Sequence, residues 1–480
     1  MGVFDKLEPK EVFHFFEEIC NIPHGSGNLQ KISDYLVSFA KERNLEVIQD
    51  EELNVIIKAP GSAGYEDKEP VILQGHMDMV AVKEDGCDID MKNEGLRLAT
   101  DGEYVWAEGT SLGGDDGIAV AYCLALLDSK EIPHPPLEVV ITSNEETGMY
   151  GAAAIDLSSL KGRKMINVDN EEEGVFITSC AGGARFYTEY EYSTNSFMGV
   201  PVEIKVEGLL GGHSGEMIIK GRGNANIIVA RAIAEAMDVS DISLVSIDGG
   251  VADNAIPSTA VAKIIVPKEN VKAVFDSVSK TCADVKGELE IKDPDVVIAA
   301  RETGDEAEAS CISLSDTRRI INGIISLPDG VQAMSAAVEG LVETSLNLGI
   351  IKSESGKVIL EQSVRSSVES AKEMLIRKLI TIAEMNGCKY SISGKYPGWK
   401  FRQNSELRDH MVKVYKDLYG KEPVIRAIHA GLECGILSEK IENLDCISIG
   451  PDMHDIHSAA EKLSVRSTAN VWEYLKAVLK

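Results

Sequence analysis

Apolar positions in the first 185 residues recur with two different spacings. "PKEVFHFFEEICNI" (9–22) and "NLQKISDYLVSFAKERN" (28–44) repeat every three or four residues. Each is read as an amphipathic helix, the second with Ser26 or Asn28 as its cap. Between and after them stand short apolar runs, "LEVIQD", "NVIIKA" and "PVILQGH", which read as strands. "GIAVAYCLALLDS" is apolar nearly all round and predicts a buried helix, and the strands "LEVVITS" and "KMINVD" follow it. Continuous apolar strands separated by helices indicate an α/β fold built on a mainly parallel, buried sheet.

The pattern changes near residue 185. "ARFYTEYEYSTNSF" alternates polar and aromatic residues, as a half-exposed antiparallel strand does, and "VPVEIKVEGL" repeats the signal. Helices are predicted at about 222–237, 268–286 and 366–386, alternating with strands such as "AVAKIIVP" and "VETSLNLGIIKS". Residues 186–396 therefore read as an inserted α+β domain within an α/β domain made of 1–185 and 397–480. The α/β character returns after "GKYPGWK". "SELRDHMVKVYKDLYG" predicts a helix, "CISIGP" a buried strand, and "SAAEKLSVRSTANVWEYLKAVLK" a closing helix.

Length and composition narrow the function. A chain of 480 residues holds two or three domains, and 44% hydrophobic residues suffice for sizeable cores. The formal net charge of −29 argues against nucleic acid and anionic membranes as partners and favours sites that hold cations. Nine cysteines, an odd number with no CxxC pair, read as free buried thiols in a reducing cytosol. "MGVFDKLEPKEVFHFF" carries no signal-peptide pattern, and Lys6 stands where myristoylation wants Ser or Thr. No apolar stretch reaches the ~18 residues of a membrane span. A cytoplasmic protein is expected.

Polar clusters stand where the predicted strands of the α/β part end, which is where open parallel sheets bind ligands. In "VILQGHMDMV", His76 and Asp78 are two apart and share a side of an extended chain. A carboxylate beside an imidazole fixes its tautomer and raises its basicity as a metal ligand. "SLGGDDGIAV" places Asp115 and Asp116 before the apolar helix, and a cap would account for only one of them. In "VVITSNEETG", Glu145 and Glu146 are adjacent, so on extended backbone they point to opposite sides and can serve two roles. Asp169 follows "KMINV", and His457, with His454 as its rival, follows "CISIGP". Taken singly, each cluster also fits an ordinary polar strand end or acidic turn. Together they suit two divalent cations sharing a carboxylate, Zn²⁺ foremost, with Mn²⁺ or Co²⁺ as alternatives. Two such ions generate hydroxide from water and polarise a carbonyl, and the reaction then needs one carboxylate that binds no metal to move protons.

With these motifs the chain resembles the co-catalytic dinuclear zinc peptidases, which include carboxypeptidase G, peptidase T and the cytosolic dipeptidases, and in particular the bacterial aminoacyl-histidine (Xaa-His, beta-alanyl-histidine) dipeptidases. The resemblance covers essentially the whole chain through "NIPHGSGN", "LQGHMDMV", "LGGDDGIAVA", "TSNEETGMYGA", "GLLGGHSGEMIIKGRGNA", "DNAIP", "AIHAGLECG" and "HSAAEKL". It implies that 1–185 plus 397–480 is the catalytic dimetal domain and 186–396 a lid. It further implies one metal on His76 and Asp169, another on Glu146 and His457, and Asp115 bridging. Asp78 would orient His76, Glu145 would be general base and acid, and the Asp115–Asp116 peptide would be cis. From the inserted domain, His213 would stabilise the oxyanion. Asn254 and Arg365 would grip the substrate's polar groups and carboxylate, with Gly431 and Glu433 nearby. Close relatives commonly carry proline after the serine of "HSAAEKL", and "LGGDDG" varies from an Ala-containing version; neither change touches a ligand, and both weaken the case for strict Xaa-His preference.

The expected activity is hydrolysis of unblocked dipeptides, Xaa-His and others, by a metal-bridged hydroxide with a glutamate base. A tripeptidase, an aminoacylase and a glutamate carboxypeptidase share the same machinery. A non-enzymatic cation or peptide binder is the reading from another class; the chain has no D-x-[DN]-x-[DN]-G calcium loop, and a binder has no need of Glu145 beside a ligand. The expected partner is a small peptide substrate, and the resemblance leaves a homodimer through the lid open.

Overall fold

The computed structural model describes residues 2–336 and 338–480, so Met1 of the Met-Gly start lies outside the described residues. The chain divides into two compact units: Met1–Ser179, Phe401–Ala427 and Leu432–Lys480 in one, Cys180–Lys400 and Ile428–Gly431 in the other.

The first unit is built on an eight-stranded sheet. Its strands are β1 (Glu46–Gln49), β2 (Val55–Ala59), β3 (Val71–His76), β4 (Leu137–Thr142), β5 (Lys164–Asn167), β6 (Val175–Cys180), β7 (Val424–Ile428) and β8 (Asp445–Ser448). The spatial order is β1-β2-β4-β3-β5-β8-β6-β7. The centre, β4-β3-β5-β8, is parallel, while β2 pairs antiparallel with β4 and β6 antiparallel with β8. Every residue of β4 is buried, as a strand covered on both faces requires.

Helices α1 (Lys10–Cys20), α2 (Gln30–Glu42), α3 (Gly114–Asp128), α4 (Tyr150–Ala154), α5 (Glu406–Tyr419), α6 (Glu433–Lys440) and α7 (Val465–Val478) complete the unit. The all-apolar run becomes α3, buried from Gly117 to Leu127 and packed against α1 and β3. Its close approach to α1 depends on Gly117, where a Cβ would stand 3.3 Å from the Phe16 ring. A four-stranded antiparallel sheet also joins Leu98–Thr100 and Tyr104–Ala107 to Met453–His454 and Lys462–Ser464.

The second unit is an antiparallel sheet with the order 297–302, 194–207, 260–266, 243–249, 342–354, 357–366, 182–191, 389–396 along its main path. Helices Ala225–Met237, Val271–Glu288, Leu314–Ser326 and Glu369–Met385 belong to it. Its core is separate, drawn from residues such as Phe186, Ile204, Ile233, Ile264 and Leu346.

Four local expectations are corrected. Helix α2 has no side-chain cap; Ser26 Oγ instead donates to Asp78 and Asn28 Nδ2 to the Lys92 carbonyl. "ARFYTEYEYSTNSF" is divided between two strands, because Ser193 at the break gives both its N–H and its hydroxyl to Asp316. The closing helix begins at Val465 rather than Ser458, since Lys462–Ser464 pairs as a strand and Ser464 Oγ caps the helix. Neither Asp115 nor Asp116 caps α3; both have non-helical backbone angles, and regular helix begins after them. Helices Leu314–Ser326 and α6 were not anticipated. All nine cysteines are free, as expected, and no helix among the described residues is long and apolar enough to cross a membrane.

Trp472 tests the packing of α7. It is fully buried, its ring stacks on Tyr122 at 6.0 Å, and Nε1 donates to Glu11 at 2.9 Å. Trp472→Ala should cost about 3–5 kcal/mol, and Trp472→Phe, which loses mainly the hydrogen bond, about 1 kcal/mol. Urea unfolding followed by far-UV circular dichroism measures both, and equal losses would contradict this account of the packing.

Candidate metal centre

Strand register carries the polar residues to one end of the central strands. In the parallel pair β3–β4, His76 lies opposite Thr142, and on the other side of β3, Gln74 lies opposite Asn167 of β5. His76, the Glu145–Glu146 turn and Asp169 therefore leave their strands at the same end. Asp115 and Asp116 arrive from the start of α3. The Asp115–Asp116 peptide is cis, as the resemblance implies. Asp116 accepts a hydrogen bond from the His76 backbone N–H at 3.1 Å, and a Cβ at residue 75 would stand 2.5 Å from that same Asp116 oxygen. Glycine in "LQGH" is what lets α3 approach so closely.

Asp115 occupies the middle. One of its oxygens, Oδ1, lies 3.0 Å from His76 Nε2, and the other, Oδ2, 3.0 Å from His457 Nε2. His457 Nε2 is also 2.9 Å from Glu146 Oε1, and His76 Nε2 is 3.6 Å from Asp169 Oδ1. His457 thus joins the cluster, whereas His454 sits in the small sheet with its ring 5.7 Å from that of Tyr104. Ligand-capable atoms come together in three overlapping groups: His76, Asp116 and Asp169; His76, Glu145 and Glu146; Asp115, Glu146 and His457. Asp116 is the unexpected member of the first group. Its Oδ2 is already taken by the His76 amide, and its Oδ1 is buried with no hydrogen-bond partner among the described residues.

The turn that carries the glutamates is held by Asp78. Its carboxylate accepts the backbone N–H groups of Glu145 at 2.9 Å and Glu146 at 3.3 Å, and the Ser26 hydroxyl at 2.8 Å. The Asp78 backbone carbonyl lies 3.0 Å from His76 Nδ1, with the carboxylate farther off at 3.6 Å. Asp78 therefore steadies both His76 and the Glu145–Glu146 turn. Asn144, at φ 51, closes the turn from the other side by accepting the Gly27 N–H at 2.8 Å.

The electrostatics follow from crowding. Asp115, Glu146 and Asp169 find their ion-pair partners, among the described residues, in the two histidines. Asp115 and Glu146 hold His457 protonated, with its pKa pushed up to about 10. Burial opposes a charge on His76, yet Asp115, Asp169 and Asp78 carry it well above the usual imidazole range. Burial and neighbouring carboxylates raise Asp169 to about 6. Burial, helped by Asp169, Glu433 and Glu146, raises Glu145 well above the ordinary glutamate range. Protons and imidazolium groups are offsetting the negative charge here, as divalent cations do. Two imidazoles, several carboxylates and one carboxylate facing both rings form a donor set that fits a pair of such cations.

Glu433 is placed differently from expectation. Rather than an open substrate contact, it is fully buried beneath the strand ends, accepting from Gln74 Nε2 and Thr142 Oγ1, each at 2.5 Å. Burial lifts its carboxyl to about 7. His213, Asn254, Arg365 and Gly431 belong to the second unit. His213 lies in a two-residue strand pair with Ala255–Ile256, its imidazole lowered by burial and by the Arg365 charge. Asn254 is exposed and its carbonyl accepts the Ser214 N–H at 2.7 Å. Gly431 is half-buried. Arg365 is nearly buried, donates to the Tyr396 hydroxyl at 3.2 Å, and has an Nε with no hydrogen-bond partner among the described residues. His429, not singled out from the sequence, joins this group, lying 2.7 Å from Ser345 Oγ with its pKa lowered to about 3 by burial and Arg365.

Comparison with known proteins identifies the family. The model of peptidase family M20/M25/M40 matches residues 72–480. The chain belongs to that family. Membership in M20/M25/M40 makes it an enzyme of peptidase type. It is 34% identical over 486 aligned residues to the cytosol non-specific dipeptidase of Escherichia coli K12, covering 100% of this chain and 99% of the relative. The structure of aminoacylhistidine dipeptidase from Vibrio alginolyticus superposes with a TM-score of 0.93 at 37% identity, over 99% of this chain and 97% of the other. Aminopeptidase PepT from Bacillus cereus shares the M20 fold at a TM-score of 0.56 and 15% identity, over 98% of each chain.

Asp78→Ala removes the acceptor of two backbone N–H groups and a hydroxyl. Divalent-cation affinity should fall about 10–100-fold, as for loss of a group that orients ligands. Isothermal titration of the metal-free protein with Zn²⁺ checks this, and wild-type affinity in the variant would contradict it.

Proposed function

We propose that this chain is a divalent-metal-dependent dipeptidase that hydrolyses unblocked dipeptides, Xaa-His among a broader set. The observation that carries the reading is the Asp115 carboxylate, with one oxygen 3.0 Å from each of two imidazoles. On this reading His76 and Asp169 hold one cation, Glu146 and His457 the other, and Asp115 both. The cations are zinc, with cobalt or manganese as the alternatives that the same donors accept. When bound, they supply acidified water and polarisation of the scissile carbonyl.

The chain's own residues do the rest. Glu145 takes a proton from the attacking water and delivers it to the leaving amine. Its burial suits that task, because a carboxylate raised from its ordinary range is a stronger base. Asp78 keeps it in place through the backbone N–H of its own turn. From the second unit, His213 donates to the developing oxyanion, and its depressed pKa favours the neutral ring. Arg365, with Asn254 and Gly431, receives the substrate's carboxylate and polar groups, a role that suits a planar guanidinium whose Nε has no partner among the described residues. The first unit then serves as the catalytic domain.

The names of the two full-length relatives support a dipeptide substrate, one being non-specific and the other aminoacylhistidine-directed. The first is also named for the cytosol, which supports a cytoplasmic location.

The test separates the adjacent glutamates on a panel of dipeptides, tripeptides and N-acyl amino acids with Zn²⁺, Co²⁺ or Mn²⁺. Glu145→Gln should keep its metals and lose about 10²–10⁴-fold in kcat. Glu146→Gln should lose metal affinity first. The reverse pattern would mean the two roles are exchanged, and the absence of dipeptide hydrolysis with any metal would overturn the proposal.

A further inference from the structure

Glu461 is a buried carboxylate that the proposed chemistry does not use. It is 3% exposed, and backbone N–H groups rather than a cation face its carboxylate. Three consecutive backbone N–H groups surround it: Leu112 donates to Oε2 at 2.8 Å, Gly113 to Oε2 at 3.2 Å, and Gly114 to Oε1 at 2.8 Å. That loop leads directly into Asp115. Its backbone is bent to meet the carboxylate, with Gly113 at φ 70, a conformation that suits glycine.

Glu461 itself stands four residues beyond His457, at the end of a tight turn. Ser458 Oγ donates to the Asp455 carbonyl at 2.6 Å, Ala460 N–H donates to Ser458 Oγ at 3.2 Å, and Glu461 N–H to the Ser458 carbonyl at 3.3 Å. The contacts therefore close a ring. It runs from His457 through the turn to Glu461, across to Leu112–Gly114, on to Asp115, and back from Asp115 Oδ2 to His457 Nε2 at 3.0 Å. Segments nearly 350 positions apart in the chain are registered by one carboxylate.

We infer that Glu461 is a positioning residue that clasps the loop bearing Asp115 to the turn bearing His457 and so sets the geometry of the shared metal ligand. The inference rests on the metal reading given above. A carboxylate that received backbone N–H groups only to complete the fold would act alike wherever it stood. The same unit supplies that comparison in Glu138. It is 4% exposed and accepts the Lys161 N–H at 2.9 Å and 3.0 Å and the Gly162 N–H at 2.9 Å. Glu138 lies at the start of β4, the end of the strand away from Thr142 and the glutamate turn.

The experiment compares Glu461→Gln with Glu138→Gln in the full-length protein. Metal-free protein is titrated with Co²⁺, followed by visible absorption, and thermal unfolding and dipeptide kinetics are recorded beside it. In Glu461→Gln an amide –NH₂ faces N–H donors. Cobalt affinity at one or both sites should fall about 10–100-fold, the absorption bands should change, and kcat should fall with KM near wild type. Glu138→Gln should lose comparable thermal stability while keeping both cobalt ions and their spectrum. Unchanged cobalt affinity and spectrum in Glu461→Gln would overturn the inference, as would equal cobalt loss in the two variants. If Glu461→Gln does not fold, Gly114→Ala replaces it, because the new Cβ would stand 3.2 Å from Glu461 Oε1 and 3.2 Å from Met453 Sδ. A smaller loss of the same kind supports the clasp, and wild-type cobalt binding in folded Gly114→Ala overturns it. Wild-type protein that binds no cobalt would instead overturn the metal reading itself.

Discussion

One carboxylate organises the first unit. Asp115 faces His76 with one oxygen and His457 with the other, each at 3.0 Å, and those histidines come from opposite ends of the sequence. Around it stand Asp78, Asp116, Glu145, Glu146 and Asp169, with two imidazoles for company. Such an arrangement is costly without positive charge, and the raised pKa values of His457, Asp169 and Glu145 are its direct expression. Divalent cations relieve the repulsion, which on the proposed reading is why the carboxylates are gathered there.

The fold meets this constraint with backbone rather than with lysine or arginine. Parallel register in β3, β4 and β5 delivers three acidic turns to the same end of the sheet. Amides then fix the carboxylates that must not wander. Asp78 receives those of Glu145 and Glu146, Asp116 that of His76, and Glu461 those of Leu112 to Gly114. Hydrogen bonds from N–H to carboxylate are among the stronger neutral-donor contacts and add no competing cation near the metals. On the proposed reading, the adjacent glutamates, which look like a fault on a bare strand end, divide holding metal from moving protons.

Much of this was legible in residue pattern. Continuous apolar strands predicted the parallel centre, and the strand-end clusters named the residues that converge. What stayed hidden was decided by distant partners. The antiparallel edges of the sheet depend on which strands meet, not on their composition. "SAAEKL" is helical by propensity, but pairing with Tyr104–Ala107 makes part of it a strand. Ser26 looks like a helix cap and instead serves Asp78, fifty-two residues away. Asp116 and Glu433 could be seen as acidic residues, yet only the packing of α3 and α6 shows that both are buried beneath the strand ends. Glu461 was visible as one letter of a motif, and its three amide donors lie nearly 350 positions upstream.

The central claim is that Asp115 is shared by two metal ions. Anomalous diffraction from crystals of the zinc-loaded protein tests it most directly. The account predicts two peaks about 3.5–4 Å apart, one beside each Asp115 oxygen, with His76 and Asp169 around the first and Glu146 and His457 around the second. A fully loaded protein with a single peak, or with metal bound away from Asp115, would contradict it.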